Sequence, residues 1–124
     1  MHKKRPKHLA LHLIKLPLPG IVSILHRISG LMLFCALPLL LLALQYSLRS
    51  IETYTQLIEI LSHPFVKIMS LGLLWAFLHH FCAGLRYLAV DLHWVSNLAQ
   101  ARSSSRAVMI ISLALTVFAG AKLL

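Results

Sequence analysis

The sequence predicts an all-α membrane protein with three transmembrane helices, and three observations support this fold class. Of the 124 residues, 59% are hydrophobic and only 12% are charged. The mean hydropathy is positive, at +0.82. A soluble domain of this size buries only part of its surface and could not hide so much apolar area. The apolar residues also fall into long segments near the roughly 20 residues that a membrane-spanning helix needs.

The three predicted spans cover about residues 21–48, 65–90 and 107–124. The third is the shortest and lies near the lower limit for crossing the hydrocarbon core, which is about 17 residues. Together the spans form one transmembrane domain, residues 21–124, because the chain is too short to build a second one.

Residues 1–20 form a separate basic arm that contains Pro6, Pro17 and Pro19. We expect this arm to lie along the inner membrane surface, and its prolines argue against a continuous helix. Between the first two spans, apolar and polar residues alternate in a way that suits a short interfacial helix. The run Ser103-Ser104-Ser105 is expected to form the N-cap region of the third span.

The distribution of lysine and arginine predicts the orientation of the chain. Basic residues concentrate before the first span and between the second and third spans, which places both regions on the cytoplasmic side. This distribution explains the net charge of +9 without nucleic-acid binding. The basic N-terminus has the features of neither a cleavable signal nor a transit peptide. A bacterial inner membrane is therefore favoured over the mitochondrial inner membrane.

A first polar motif, Ser23-Ile-Leu-His26-Arg27-Ile-Ser29-Gly30, precedes a run without charged side chains. On a helix, Ser23 and Arg27 share one face with Gly30, and His26 lies about 60° to the side of Ser23. The planar fork of Arg27 suits carboxylates. Ser23 and Arg27 could also hold the oxygens of a quinone head group. The alternative is that Arg27 only ends the span as a cytoplasmic charge and that His26 is incidental.

A second motif lies in the second span, where His80, Gly84, Tyr87 and Asp91 fall on one helical stripe. This stripe suits a haem, because an imidazole can bind the iron and a glycine one turn away lets the flat macrocycle lie close. The alternative is that His80 only hydrogen-bonds a neighbouring helix and that Gly84 is a packing contact.

None of the remaining histidines is predicted to be a second ligand for the same iron. His79 shares a different face with Arg86, and His26 is expected to be shallower than His80, at the level of the propionates. His63 is expected on the far side of the membrane. If the haem has two histidine ligands, the second should come from another chain. Two cysteines, Cys35 and Cys82, are expected to be packing residues rather than a disulfide or a zinc site.

Arg5-Pro6, the Ser23–Gly30 motif and His80-Phe-Cys-Ala-Gly84-Leu-Arg86-Tyr87-Leu-Ala-Val-Asp91 resemble the cytochrome b anchor subunit of succinate dehydrogenase, respiratory complex II. The resemblance covers nearly the whole chain. It implies a helical bundle formed with a second, smaller membrane subunit, with a b-type haem held between the two. Flavoprotein and iron–sulfur subunits complete the complex in that family.

The resemblance also implies roles for individual residues. His80 would be one axial ligand of the haem iron, and the partner membrane subunit would supply the other. Ser23 and Arg27 would line the ubiquinone site, while His26 and Arg27 would approach the haem propionates. Three positions depart from the family pattern, namely Lys7, Tyr87 and Val90. Tyr87 stands where His or Phe is more usual, which bears on contacts to the haem edge and leaves the ligand at His80 unaffected.

The expected function is the transfer of electrons from succinate oxidation to ubiquinone. Succinate would be oxidised on a flavin in a soluble partner, so this chain would touch only the quinone end and have no activity alone. Two alternatives remain open at this point. A fumarate reductase anchor would use the same architecture with the reverse flux, and a non-redox three-helix anchor would use its histidines only for packing.

Overall fold

The computed structural model describes residues 14–123, and these residues form four helices and no strand. In chain order the helices are α1 (Leu18–Ser47), α2 (Ile51–Ser62), α3 (Pro64–Asp91) and α4 (Leu98–Leu123). Three of them, α1, α3 and α4, are long and apolar enough to cross a membrane. The predicted fold class, an all-α membrane protein with three spans, is therefore confirmed.

Helix α1 begins earlier than the first predicted span because of its prolines. Pro17 precedes the helix in an extended conformation, and Pro19 lies in the first turn. At this position a missing backbone N–H costs no hydrogen bond, so proline starts a helix well. The predicted basic arm therefore overlaps α1 at its end, and residues 1–13 of that arm lie outside the described residues.

The short helix expected between the first two spans is present as α2. It begins with a capping box, in which the Ser50 side chain accepts a hydrogen bond from the Thr53 backbone N–H at 3.2 Å and Thr53 Oγ1 accepts one from the Ser50 backbone. The Tyr46 hydroxyl at the end of α1 donates to Gln56 of α2. Together these bonds hold α2 against the end of α1.

Helix α4 begins at Leu98 rather than near residue 107, and the predicted capping role of Ser103, Ser104 and Ser105 is wrong. The Asn97 side chain instead accepts a hydrogen bond from the Gln100 backbone N–H at 2.8 Å. The three serines lie inside the helix, where a serine hydroxyl can bond a carbonyl three or four residues back. Ser105 does this with Ala101 at 2.7 Å.

Helix α3 packs against both α1 and α4, and small residues fill the contacts. The buried apolar side chains among the described residues are Val22, Ala76, Ala83 and Val108. Buried Ser105, Ser112 and Thr116 line the same side of α4. Small and hydroxylated residues are typical of contacts between membrane helices, because they let the backbones approach closely. The packing brings the two polar motifs of α1 and α3 together.

Candidate functional site

The two motifs meet where α1 crosses α3, through the rings of His26 and His80. These rings stack face to face, with centroids 4.1 Å apart and planes 7° from parallel. The Tyr87 ring lies beside His26, with centroids 5.1 Å apart. A Cβ built on Gly84 would stand 3.9 Å from His26 Nε2. The predicted stripe of His80, Gly84 and Tyr87 therefore faces His26.

The stacking corrects the expected depth of His26. We expected this residue to be shallower than His80, but the two rings lie at one level. The reason is the early start of α1. From Leu18 to His26 the helix rises about 12 Å, and from His80 to Asp91 it rises about 16 Å. Both histidines are therefore well inside their helices.

The His80 ring is held by its Nδ1 atom. Nδ1 lies 3.0 Å from the backbone carbonyl oxygen of His26 and 3.3 Å from Ser29 Oγ. Since a carbonyl oxygen can only accept, this geometry assigns the proton to Nδ1. In the neutral form of the ring Nε2 then carries the lone pair, and it makes no hydrogen bond within residues 14–123. Such an imidazole could coordinate a metal through Nε2.

Ser29 is a residue of this site to which the sequence alone assigned no role. Its side chain is only 2% exposed, and its hydroxyl donates to the His26 carbonyl oxygen at 2.9 Å. The His26 carbonyl oxygen therefore accepts hydrogen bonds from both Ser29 Oγ and His80 Nδ1. The available signal was the spacing, because residues three apart on a helix are neighbours.

Gly30 also has a place in the structure that the sequence did not indicate. We grouped it with Ser23 and Arg27, but it faces His80. A Cβ built on Gly30 would stand 2.9 Å from His80 Cε1 and 3.3 Å from Nδ1. Only glycine leaves room for the ring at this position.

Ser23 and Arg27 lie one turn apart on α1. Ser23 is half-buried, whereas the Arg27 side chain is exposed. Within residues 14–123 the Arg27 guanidinium makes no hydrogen bond or ion pair. The guanidinium is therefore available to another molecule or to residues outside the described range.

The second predicted face of α3, with His79 and Arg86, points into the contacts with α1 and α4. Arg86 is 9% exposed, and its Nε donates to Ser104 Oγ at 3.0 Å. His79 is fully buried, with its ring 5.2 Å from that of Trp75. Neither nitrogen of His79 makes a hydrogen bond of normal geometry within the described residues, although the Val22 backbone lies near it. His79 is therefore separate from the His80 site, as the sequence predicted.

Fold and site together define a three-span helical membrane protein in which one imidazole is held by its Nδ1 at the contact of two spans. The chain belongs to the succinate dehydrogenase/fumarate reductase transmembrane subunit family, whose model matches residues 1–119. The family resemblance drawn from the two motifs is thereby confirmed.

Three relatives, each named a succinate dehydrogenase cytochrome b556 subunit, are similar over most of their length. The Coxiella burnetii protein is 36% identical over 121 residues, which is 97% of both chains. The Paracoccus denitrificans protein is 31% identical over 113 residues, covering 91% of this chain and 87% of the relative. The Rickettsia felis protein is 28% identical over 117 residues, covering 94% and 91%. Three apolar helices and bacterial relatives fit a multi-pass protein of the inner membrane.

Proposed function

We propose that this chain is the membrane-anchoring cytochrome b subunit of a succinate:ubiquinone oxidoreductase, which binds a b-type haem and forms part of the quinone-reduction site. One observation supports this most directly, namely the His80 imidazole with its Nδ1 hydrogen-bonded to the His26 carbonyl. Metal-ligating histidines almost always donate their other ring N–H to an acceptor of this kind, which fixes the tautomer and the ring orientation.

The surroundings of His80 fit a haem with one axial ligand from this chain. Gly30 leaves room for the ring, and the polar His26 lies against it. The His26 ring is stacked parallel to the His80 ring, so the two imidazoles would not bind one iron together. His80 would hold the iron from this chain, and a second membrane subunit would supply the other ligand.

The remaining haem contacts would involve Gly84, His26 and Arg27. Gly84, which follows His80 by one turn, would pack against the macrocycle beside His26. His26 and Arg27 would approach the propionates, for which the charged guanidinium of Arg27 is suited. When bound, the haem supplies a one-electron carrier.

The quinone site would use Ser23 and Arg27. Quinone reduction adds two electrons and two protons, and negative charge develops on the oxygens as electrons arrive. The exposed guanidinium of Arg27 would stabilise that charge, and the Ser23 hydroxyl would donate a hydrogen bond to the same head group. The quinone itself would enter from the lipid. The iron–sulfur subunit and the second membrane subunit would supply further contacts.

The direction of flux proposed here is succinate oxidation. The family model covers both succinate dehydrogenases and fumarate reductases, while the relatives described above are named for succinate dehydrogenase. In this arrangement a flavoprotein subunit oxidises succinate and an iron–sulfur subunit carries electrons to the quinone. The N-terminus would face the cytoplasm, on the side of the soluble subunits, and nucleic acid would have no part.

An Arg27→Ala variant of the whole complex tests the quinone site. Succinate-driven ubiquinone reduction should fall by about 100-fold, because a charge-assisted interaction with the reacting oxygen is lost. Succinate oxidation with an artificial acceptor should continue at the wild-type rate, since that reaction bypasses the membrane subunits. Equal loss of both activities would indicate failed assembly, and unchanged quinone reduction would contradict the role of Arg27.

A further inference from the structure

An apolar groove runs between α3 and α4 and has a positively charged end. Its volume is about 590 Å³. At one end lie Arg86 and Ser104, the polar members of its lining. Its apolar walls include Phe77, Phe81, Val108 and Leu115. A groove of this kind, between membrane helices and with a basic end, is suited to a lipid head group and chain.

The charge of Arg86 has no carboxylate partner in this structure. Its guanidinium donates through Nε to Ser104 Oγ and through Nη2 to the Ala101 carbonyl, at 3.0 and 3.4 Å. An arginine has five N–H donors, so several remain unused. Of the three acidic residues in the sequence, Glu52 and Glu59 lie on α2, at the opposite end of α3. Asp91 ends α3 on the same side as Arg86 but makes no ion pair with it. A buried cation in a membrane is costly, and a hydroxyl and a carbonyl satisfy two donors of Arg86 without supplying a counter-charge.

The length of the groove matches one leaflet of a bilayer. From Phe77 to Arg86 the helix rises about 14 Å. The hydrocarbon core is about 30 Å thick, so one leaflet accounts for about 15 Å. Beyond Arg86, the exposed side chains of Arg102 and Arg106 on α4 add positive charge near the same helix end. An acyl chain in the groove would therefore bring its phosphate to the level of Arg86.

We propose that this groove binds one acidic phospholipid, with the phosphate on the free N–H donors of Arg86 and an acyl chain along α3 and α4. The phosphate would neutralise a buried charge that a quinone leaves unpaired. In a zwitterionic phospholipid such as phosphatidylcholine, the choline cation would offset this gain beside the exposed Arg102 and Arg106. The proposal does not depend on the haem or the quinone site. Arg86 lies on the other face of α3 from His80, and Ser23 and Arg27 are on α1.

The test uses the complete complex, purified in mild detergent and examined by native mass spectrometry. Three variants are compared with wild type, namely Ala107→Phe, Ala114→Phe and Arg86→Gln. Ala107 is exposed and lines the groove, so phenylalanine would fill it. Ala114 is an exposed alanine of the same helix outside the groove, and its variant is the matched control. Dioleoylphosphatidylglycerol and dioleoylphosphatidylcholine are then added back to each delipidated sample.

Wild type and Ala114→Phe should each retain one phospholipid more per complex than Ala107→Phe. The phosphatidylglycerol should rebind to wild type at least tenfold more tightly than the phosphatidylcholine. In Arg86→Gln this preference should vanish, because the charged donor is gone. If Ala107→Phe does not assemble, the proposal is tested by comparing wild type with Arg86→Gln in their preference for phosphatidylglycerol over phosphatidylcholine.

Three results would overturn the proposal. They are equal lipid retention by wild type and Ala107→Phe, equal affinity of wild type for the two lipids, and a retained quinone mass in place of a phospholipid. The visible spectrum of each sample keeps this test apart from the proposed function. A wild-type complex without a haem spectrum would contradict the haem assignment. The lipid measurements on the same complex would remain valid.

Discussion

At the scale of single residues, the proposed haem ligand is supported by the different surroundings of two adjacent histidines of α3, His79 and His80. His80 is half-buried beside His26, with Nδ1 bonded to a carbonyl. His79 is fully buried against Trp75, and its nitrogens lack hydrogen bonds of normal geometry within the described residues. A ligand must present a lone pair to a space that a cofactor can enter. Of these two histidines, only His80 combines this access with a fixed ring.

Replacing each histidine by leucine should therefore give opposite results. His80→Leu should abolish the b-type haem band, because the iron loses an axial ligand. His79→Leu should keep the band and leave the apparent melting temperature unchanged or higher, since the leucine fills the site without burying unpaired polar atoms. Reduced-minus-oxidised spectra and thermal denaturation of the purified complexes measure both effects. Loss of haem in His79→Leu alone would invert the assignment.

Gly30 provides a second prediction at this scale. In Gly30→Ala the new Cβ would stand 2.9 Å from His80 Cε1, so the ring has to move. We expect less haem per complex and a shifted haem midpoint potential, because outer contacts that orient a ligand typically change metal affinity by about 10-fold or more. Gly20→Ala is the control, as the nearest atoms to its Cβ belong to Leu16 and Pro17, at 3.7 Å and beyond. A wild-type haem content and potential in Gly30→Ala would mean that the ring position does not matter.

At the scale of elements, the sequence predicted the three spans and the stripe on α3 but misplaced the start of α4. Hydrophobic periodicity and length are strong signals for a span, whereas serine is ambiguous. A serine run fits an N-cap, yet inside a membrane helix the same hydroxyls bond carbonyls of the preceding turn. In the structure Asn97 caps the helix, and Ser104 inside α4 accepts a hydrogen bond from Arg86 of α3. Such a partner is not visible in the local sequence.

The contact between α3 and α4 can be tested through this serine. Ser104→Ala removes the acceptor of Arg86 Nε and leaves a buried charged donor unpaired. The expected loss of stability is about 1.5–3 kcal/mol, seen as a lower apparent melting temperature of the complex. Ser103→Ala is the matched control, since Ser103 is exposed and its side chain makes no hydrogen bond within the described residues. Equal melting temperatures for the two variants would show that the Arg86–Ser104 bond contributes nothing.

At the scale of the whole molecule, the proposed function requires other chains. Arg27 is exposed on α1 and makes no hydrogen bond or ion pair within the described residues, and His80 would supply one ligand of a haem. A second ligand from another chain stays a prediction from the number and spacing of the histidines. The sequence could not predict that His26 lies level with His80, because that depth follows from where α1 begins. The role of Ser29 could not be predicted either, because its contact with His80 depends on how α1 and α3 cross.

The most direct test of the central claim is a single purification through a tag on this chain, with the subunits and the visible spectrum determined on the same sample. We predict that a flavoprotein, an iron–sulfur subunit and a second membrane subunit copurify, with a reduced-minus-oxidised b-type band in stoichiometric amount. The complete set of partners without a b-type band would contradict this prediction, because His80 would then be a packing residue.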